Sequence, residues 1–354
     1  MTSTRAWALE VARDDLSRTR LIDLDVPEPA DGEAVLRADR VGMTANNVTY
    51  AVIGAAFRYW EFFPAREPGA GRVPLWGFAE VVASRAEGVE VGARVYGFLP
   101  TASHLVVRPD RADARGFRDA AEHRAALPAA YNSYALTSGD PSYDPGREDL
   151  QVLFRPLFLT SFLLADQLQD TPGTVVLSSA SSKTAYGAAF LLREAGREVV
   201  GLTSPGNAAF VQALGCYDRV LVYDDVASLP QEPTAYVDLA GSTPLRQALH
   251  TALADRLLLD LVVGVTHQDS GSAGRLPGPR PTVFFAPDRL QQRSADWGRA
   301  GFDERFARAW GEFVPAVEGW VDVTAGSGPQ GLQSAYLEVL AGRSDPRTGH
   351  VLQL

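Results

Sequence analysis

After residue 150 the chain alternates short apolar runs with helical stretches, and that rhythm leaves few folds open to it. The run Thr174-Val175-Val176-Leu177 is brief, β-branched and preceded by the turn Pro172-Gly173. Such a run suits a parallel strand buried on both faces. A helix is expected over 150–168 before it and another over 184–195 after it. Then come a strand at 198–202, a helix at 207–214 and a strand at 219–223. Further strands are expected at 235–239, 257–263 and 282–285, with a helix over 243–253. Strand and helix alternating at this spacing predict an α/β fold with a Rossmann-type doubly wound parallel sheet. Such sheets bind ligands at the carboxyl ends of their strands.

The first 110 residues have a different texture. Alternating runs at 6–11, 33–41, 79–83, 94–98 and 103–107 are separated by turn residues such as Pro27, Pro29, Asp31-Gly32 and Gly88. They read as a small β-barrel or partly open sheet. Residues 111–150 are polar, and Ser138 to Gly146 is rich in Ser, Gly, Asp and Pro, so a linker or surface loop is expected there. The expected division is therefore a β-rich domain over 1–150, a cofactor-type domain over 151–286 and a C-terminal segment over 287–354. That segment ends in a strand at 349–354, which is expected to return to the first domain.

Charge and cysteine content remove several classes of function. A net charge of −10 argues against nucleic acid and against an anionic membrane surface, since both need a basic face. No segment is long and apolar enough to be expected to span a bilayer. The first ten residues show no signal-peptide pattern, and a single cysteine, Cys216, cannot form a disulfide within the chain. A cytoplasmic protein is the expectation. Zinc sites want clustered Cys and His. Here one Cys and five scattered His are present, so no metal is expected. Cys216 reads as packing rather than as a nucleophile.

The loop after the first parallel strand carries the strongest chemical signal. It reads Ser178-Ser179-Ala180-Ser181-Ser182-Lys183-Thr184-Ala185-Tyr186-Gly187, and Lys183 is the only lysine of the chain. Ser179, Ser181, Ser182 and Thr184 offer hydroxyls, the helix start offers N–H groups, and Lys183 offers a point charge. This combination suits a pyrophosphate. The loop is neither a GxGxxG fingerprint nor a Walker loop; only Gly187 fits, as a small residue that lets the helix pack close to the strand. A plain Ser-rich helix cap is the competing reading. At the end of the second strand, Thr203-Ser204-Pro205-Gly206-Asn207 holds no acid. An acid there would select NADH, so NADPH is favoured, with Thr203, Ser204 and Asn207 either on the nucleotide or simply capping the next helix. His267 follows the strand at 257–263, where it lies either near a nicotinamide or on an exposed loop.

Taken together, these segments resemble the medium-chain dehydrogenase/reductase superfamily, on its zinc-free quinone-oxidoreductase and enoyl-reductase side. Pro74 to Val82 and Gly88 to Gly97 resemble stretches of its GroES-like domain, although Ala93 stands where an Asp is usual. Phe210 to Tyr223, Asp238-Leu239-Ala240-Gly241 and Thr348 to Leu352 resemble segments of its cofactor domain and closing strand. Ser178 to Gly187, Phe284 to Asp288 and Ala295 to Gly298 are similar to a divergent branch, the DUF2855 proteins. The resemblance implies Tyr223 at the adenosine 2′-phosphate and Gly241 at the cofactor's border. It also implies a small-molecule substrate and is compatible with a homodimer.

By the same resemblance, Asn46 or Asn47 faces substrate or cofactor, and Tyr50 is the nearest acid that can give a proton. A capping Asn pair and a packed tyrosine are the alternative. The following Arg58, Tyr59, Trp60 and Phe63 form either an apolar substrate wall or core. The implied activity is NADPH-dependent reduction of an activated C=C bond. Two alternatives stay open: a fold kept for binding without turnover, and a redox-neutral enzyme of the same fold.

Overall fold

The computed structural model describes residues 5–263 and 276–354. The chain divides into two compact units: residues 1–156 with 321–354, and residues 157–320.

The first unit holds β1 (Ala6–Ala12), β2 (Thr19–Leu24), β3 (Ala34–Met43), α1 (Ala45–Val52), β4 (Ala70–Gly71), β5 (Pro74–Ser84) and β6 (Arg94–Pro100). These are followed by β7 (His104–Val107), β8 (Pro109–Asp113), β9 (Gly116–Asp119), β10 (Ser133–Leu136) and the start of α2 (Glu148–Leu168). The second unit holds β11 (Thr174–Leu177), α3 (Lys183–Glu194), β12 (Val199–Thr203), α4 (Ala208–Ala213), β13 (Arg219–Val222) and β14 (Thr234–Asp238). It continues with α5 (Thr243–Leu253), β15 (Leu257–Val263), β16 (Thr282–Phe284) and α6 (Ala286–Val317). The chain then returns to the first unit through β17 (Asp322–Ser327), α7 (Gly328–Leu340) and β18 (Thr348–Gln353).

In the first unit the large sheet runs β17-β18-β3-β5-β6-β10-β9-β8, with β7 also on β3, and a smaller sheet runs β2-β1-β4. Alternating side chains of β1, β3, β5 and β6 form its core: Leu9, Leu36, Val41, Leu75, Val81 and Leu99 are all within 1% of full burial. Tyr336 and Leu332 of α7 close over them. β18 pairs antiparallel with β3, His350 opposite Met43.

Residues 111–150 differ from the linker expected there. β9 and β10 pair with each other, and β10 pairs with β6, so the segment is part of the sheet. A buried ion pair organises it. Arg124, fully buried, lies 3.0 Å from Asp119 and donates to the Tyr134 hydroxyl at 3.1 Å. Asp119 also accepts from the backbone N–H groups of Arg108 and Ala121. Polar composition here marks a buried charged network, not a solvated loop.

The second unit is a six-stranded, wholly parallel sheet in the order β13-β12-β11-β14-β15-β16. Successive strands run outward in one direction from β11 and in the other from β14, so the switch point lies between these two. Every residue of β11, β12 and β14 is buried, which is why their sequences show continuous apolar runs instead of alternation. α6 packs in this unit. Phe158 of α2 stacks on Phe313 at 4.5 Å and meets Phe306 and Trp310 edge-on. Residues 287–320 therefore stay with the second unit, and the return to the first begins at residue 321.

Burial raises the pKa of Cys216, Tyr134 and Tyr336 to about 12 each. All three hold their protons longer folded than unfolded. Their contribution to stability is complete below pH ~9 and disappears as the pH climbs toward ~12. The urea midpoint is expected to fall between pH ~8 and ~11. A midpoint unchanged over that interval would contradict it.

Candidate functional site

Ser178 to Ser182 join β11 to α3 at the switch point. Ser182 caps α3, its Oγ accepting from the Ala185 N–H at 3.3 Å. Ser179 has φ +51°, a left-handed conformation in which a glycine is usual and a serine costs roughly 1 kcal/mol. The strain is held in place from both sides. The Ala180 N–H donates to Leu202 O at 3.0 Å, and the Tyr217 hydroxyl donates to Ala180 O at 2.8 Å. Thus the glycine-poor loop still makes the tight turn, and Lys183 and Thr184 open the helix.

Several of the expected residues meet here. The Asn207 amide donates to Ser181 Oγ at 3.1 Å. The half-buried Tyr223 hydroxyl takes a backbone hydrogen bond from Ser179, and burial raises its pKa. Thr203 and Val222 are cross-strand partners, which puts Tyr223 one step beyond the end of β12. Thr203 is 1% exposed, and its hydroxyl has no hydrogen-bond partner. Ser204 begins the short turn Pro205–Asn207.

Gly187 is placed differently from the expectation. A Cβ there would lie 2.8 Å from Ser161 Oγ and 3.5 Å from a Phe158 ring carbon, so the missing side chain admits α2, not a strand. Ser161 bonds Thr184 O at 2.8 Å across the same contact. His267 lies outside the described residues.

The sequence reading missed a buried charged network. Asp238 ends β14 and is 1% exposed. Its Oδ1 accepts from Ser178 Oγ at 3.1 Å and from the N–H groups of Ala240 and Gly241 at 3.0 and 2.9 Å. Gly241 has φ +65°, so the turn needs a residue tolerant of that conformation. Ser178 Oγ also accepts from Leu239 and Ala240 N–H. The two switch-point loops are thereby tied together. Asp238 Oδ2 pairs with Arg246, whose Nε lies 3.1 Å from Asp260 Oδ2. His250 sits 2.9 Å from the same oxygen and 2.6 Å from the Pro277 carbonyl. Burial raises the Asp260 pKa, against the opposing pull of His250 and Arg246. The available signal was helical spacing: Arg246 and His250 stand one residue after Leu245 and Leu249, the buried stripe of α5.

In the first unit, α1 carries the three residues nominated for substrate. Asn47 is buried and fully engaged: its Oδ1 accepts from the Thr44 N–H at 2.7 Å and its amide donates to Pro74 O at 2.9 Å. It clamps α1 to β5, which supports its capping reading. Asn46 lies one helical turn before Tyr50 and is hydrogen-bonded to its hydroxyl. Trp76 Nε1 donates to the same hydroxyl at 3.2 Å.

Tyr50 is 6% exposed, 4.6 Å centroid to centroid from Tyr59 and 6.3 Å from Tyr131. Tyr59 and Tyr131 share a 3.0 Å hydrogen bond. Burial above all, then Tyr59, pushes the Tyr50 pKa well above the ordinary phenol value, so this phenol stays neutral. The aromatic cluster divides. Tyr59, Phe62 and Phe63 join Tyr50 and Phe98, while Trp60 belongs to the main core. Tyr131, from the segment read as a linker, was not foreseen. Among the described residues no group of three His, Cys, Asp or Glu is placed to hold a metal, and no helix is long and apolar enough to cross a membrane.

Residues 41–345 match the family described as a protein of unknown function, DUF2855. The chain belongs to the DUF2855 family. No curated protein matches it. Among solved structures, the DUF2855 chain is similar to CurA of Vibrio vulnificus in complex with NADPH (TM-score 0.64, 14% identity, 98% of both chains). It is also similar to the quinone oxidoreductase of Coxiella burnetii (TM-score 0.58, 15% identity, 99% of both chains). A third is the CurK enoyl reductase (TM-score 0.58, 14% identity, 98% of this chain and 99% of that one). At these identities the likeness establishes the fold alone, a β-rich unit together with a Rossmann-type parallel-sheet unit.

Proposed function

We propose that this protein is an NADPH-dependent, zinc-independent reductase of an activated C=C bond in an enone, a quinone or an enoyl thioester. The observation that carries the reading is the switch-point loop of the parallel sheet, where serine hydroxyls, the start of α3 and the only lysine come together. One feature there exceeds what a capping loop requires: Thr203 has a buried hydroxyl without a partner at the end of β12, where an adenosine ribose is read. Residues 203–207 hold no carboxylate to repel a 2′-phosphate.

In this reading Ser179, Ser181, Ser182, Lys183 and Thr184 hold the pyrophosphate. Thr203, Ser204, Asn207 and Tyr223 face the adenosine ribose and its phosphate, and Gly241 borders the cofactor. Bound NADPH supplies a hydride. Asn46 and Tyr50 serve the substrate. Trp76 and Asn46 both donate to Tyr50 Oη, and Tyr131 hydrogen-bonds to the same hydroxyl, so the phenol is held at a fixed position. Asn47 positions α1.

Titration with NADPH, read by nicotinamide fluorescence, tests the reading. Lys183→Ala is expected to weaken NADPH binding by roughly 1.5–3 kcal/mol, as for a lost charge-assisted hydrogen bond. Absence of binding by either NADPH or NADH would refute it. One observation favours the second reading, a binding module without turnover: the Ser179 N–H already engages Tyr223, although a phosphate would need such donors. That reading predicts NADPH binding with no oxidation against a panel of enones, quinones and enoyl thioesters.

A further inference from the structure

We propose that Tyr59, not Tyr50, is the phenol that gives its proton to the substrate in the reduction proposed above, at the open end of a one-way row of hydroxyls from Tyr50 through Tyr131 to Tyr59. The inference rests on the reductase reading and changes which residue completes it.

The direction of the row follows from what each partner can do. At one end stands Tyr50. Trp76 Nε1 donates to its Oη at 3.2 Å, and Asn46, one helical turn earlier on α1, donates to the same oxygen. Two donors fill the lone pairs of a phenol oxygen, and an indole N–H can only donate. The remaining partner of that hydroxyl is Tyr131, so Tyr50 gives its proton to Tyr131. Tyr131 has one proton of its own and gives it to Tyr59 across 3.0 Å. Among the described residues the Tyr59 hydroxyl bonds Tyr131 alone, so its own proton is the one not used inside the cluster. Ring packing holds the row together: Tyr50 lies 4.6 Å from Tyr59, and Tyr131 meets the two edge-on at 6.3 and 5.6 Å.

The same direction prepares Tyr59 for proton transfer. Burial raises its pKa, and the bond from Tyr131 pulls the other way, since a donated hydrogen bond favours the phenolate. The reductant is the NADPH of the proposed reading. On the enolate left by hydride addition, the Tyr59 O–H bond breaks, the proton goes to the acceptor, and the electron pair stays on Tyr59 Oη facing the Tyr131 proton. Water returns a proton to Tyr59 after the product leaves. The cluster reaches the surface of the first unit, because Phe57, Trp76 and Tyr131 at its margin are half-buried. A strained turn places Tyr59 there. Arg58 has φ +62°, and it is held by bonds to Glu61 at 2.9 and 2.7 Å and to the Ala126 carbonyl at 3.1 Å.

Two measurements on the full chain test this. The first is NMR of protein carrying isotope-labelled tyrosine, with the Tyr59 signal assigned from Tyr59→Phe and titrated through the phenol range. Tyr131→Phe is expected to move the Tyr59 titration to higher pH, because it removes a bond donated to the phenolate. An unmoved or lower midpoint would mean that Tyr131 gives no proton to Tyr59, and would overturn the proposal. The second is steady-state reduction of a panel of enones, quinones and enoyl thioesters with NADPH. Tyr59→Phe is expected to lower kcat about a hundredfold, as for a lost general acid, with KM for NADPH unchanged. Tyr50→Phe leaves Tyr59 its proton and is expected to cost less. Each substitution removes a hydroxyl and keeps the ring, so the fold should survive, and an unchanged Tm checks this. A loss in Tyr50→Phe equal to or larger than that in Tyr59→Phe would return the role to Tyr50 and leave the reductase reading standing. A wild-type protein that reduces no acceptor would overturn both.

Discussion

Arg246→Met is expected to lower the stability of the folded protein by about 3–5 kcal/mol, because it strands two buried carboxylates around an apolar chain. Asp238 and Asp260 are 1% and 0% exposed, and Arg246 is the cation between them. The methionine fills much of the volume, so the loss reports charge more than cavity. On the proposed reading, the same change is expected to raise the Kd for NADPH roughly tenfold or more. Asp238 holds Ser178 and the turn at Ala240 and Gly241, and a displaced Asp238 releases both loops. Urea denaturation and nicotinamide fluorescence measure the two effects. Adding Asp260→Leu to Arg246→Met should recover part of the stability, since one stranded charge is then removed. If the single variant loses less than about 1 kcal/mol, the network is solvated and positions nothing.

Arg124→Ala is expected to cost a similar amount, about 3–5 kcal/mol, in the first unit. The arginine leaves Asp119 buried without its counter-ion and vacates the space over the Phe63 ring, 4.7 Å away. It also deprives the Tyr134 hydroxyl and the Phe62 carbonyl of a donor. A double-mutant cycle with Asp119→Ala separates charge from packing: strong coupling between the two sites is expected. Additive losses would mean that Arg124 acts through volume alone.

These two arginines also show where sequence reading stops. The strands of the second unit were legible because burial on both faces demands uninterrupted apolar runs, as in Thr174–Leu177 and Val199–Thr203. The serine loop was legible because its composition is unusual at a strand–helix junction. Charged residues on helices and in polar stretches gave no such signal. Arg246, His250 and Arg124 look like solvated surface until the structure supplies their buried partners. β9 and β10, four residues each, are too short to show a period, and exposed β17 lacks the apolar face that would announce it. Gly187 was identified as a close-packing glycine, but which element it admits depends on tertiary contact that no local pattern encodes.

The order of synthesis imposes a schedule on the two units. Residues 157–320 form an uninterrupted stretch and can finish their sheet while the last residues are still on the ribosome. The other unit cannot: β3, complete by residue 43, must wait for β18 at residues 348–353 to cover its edge. Until then it presents unpaired backbone groups through most of translation, the condition that favours intermolecular strand pairing and chaperone capture.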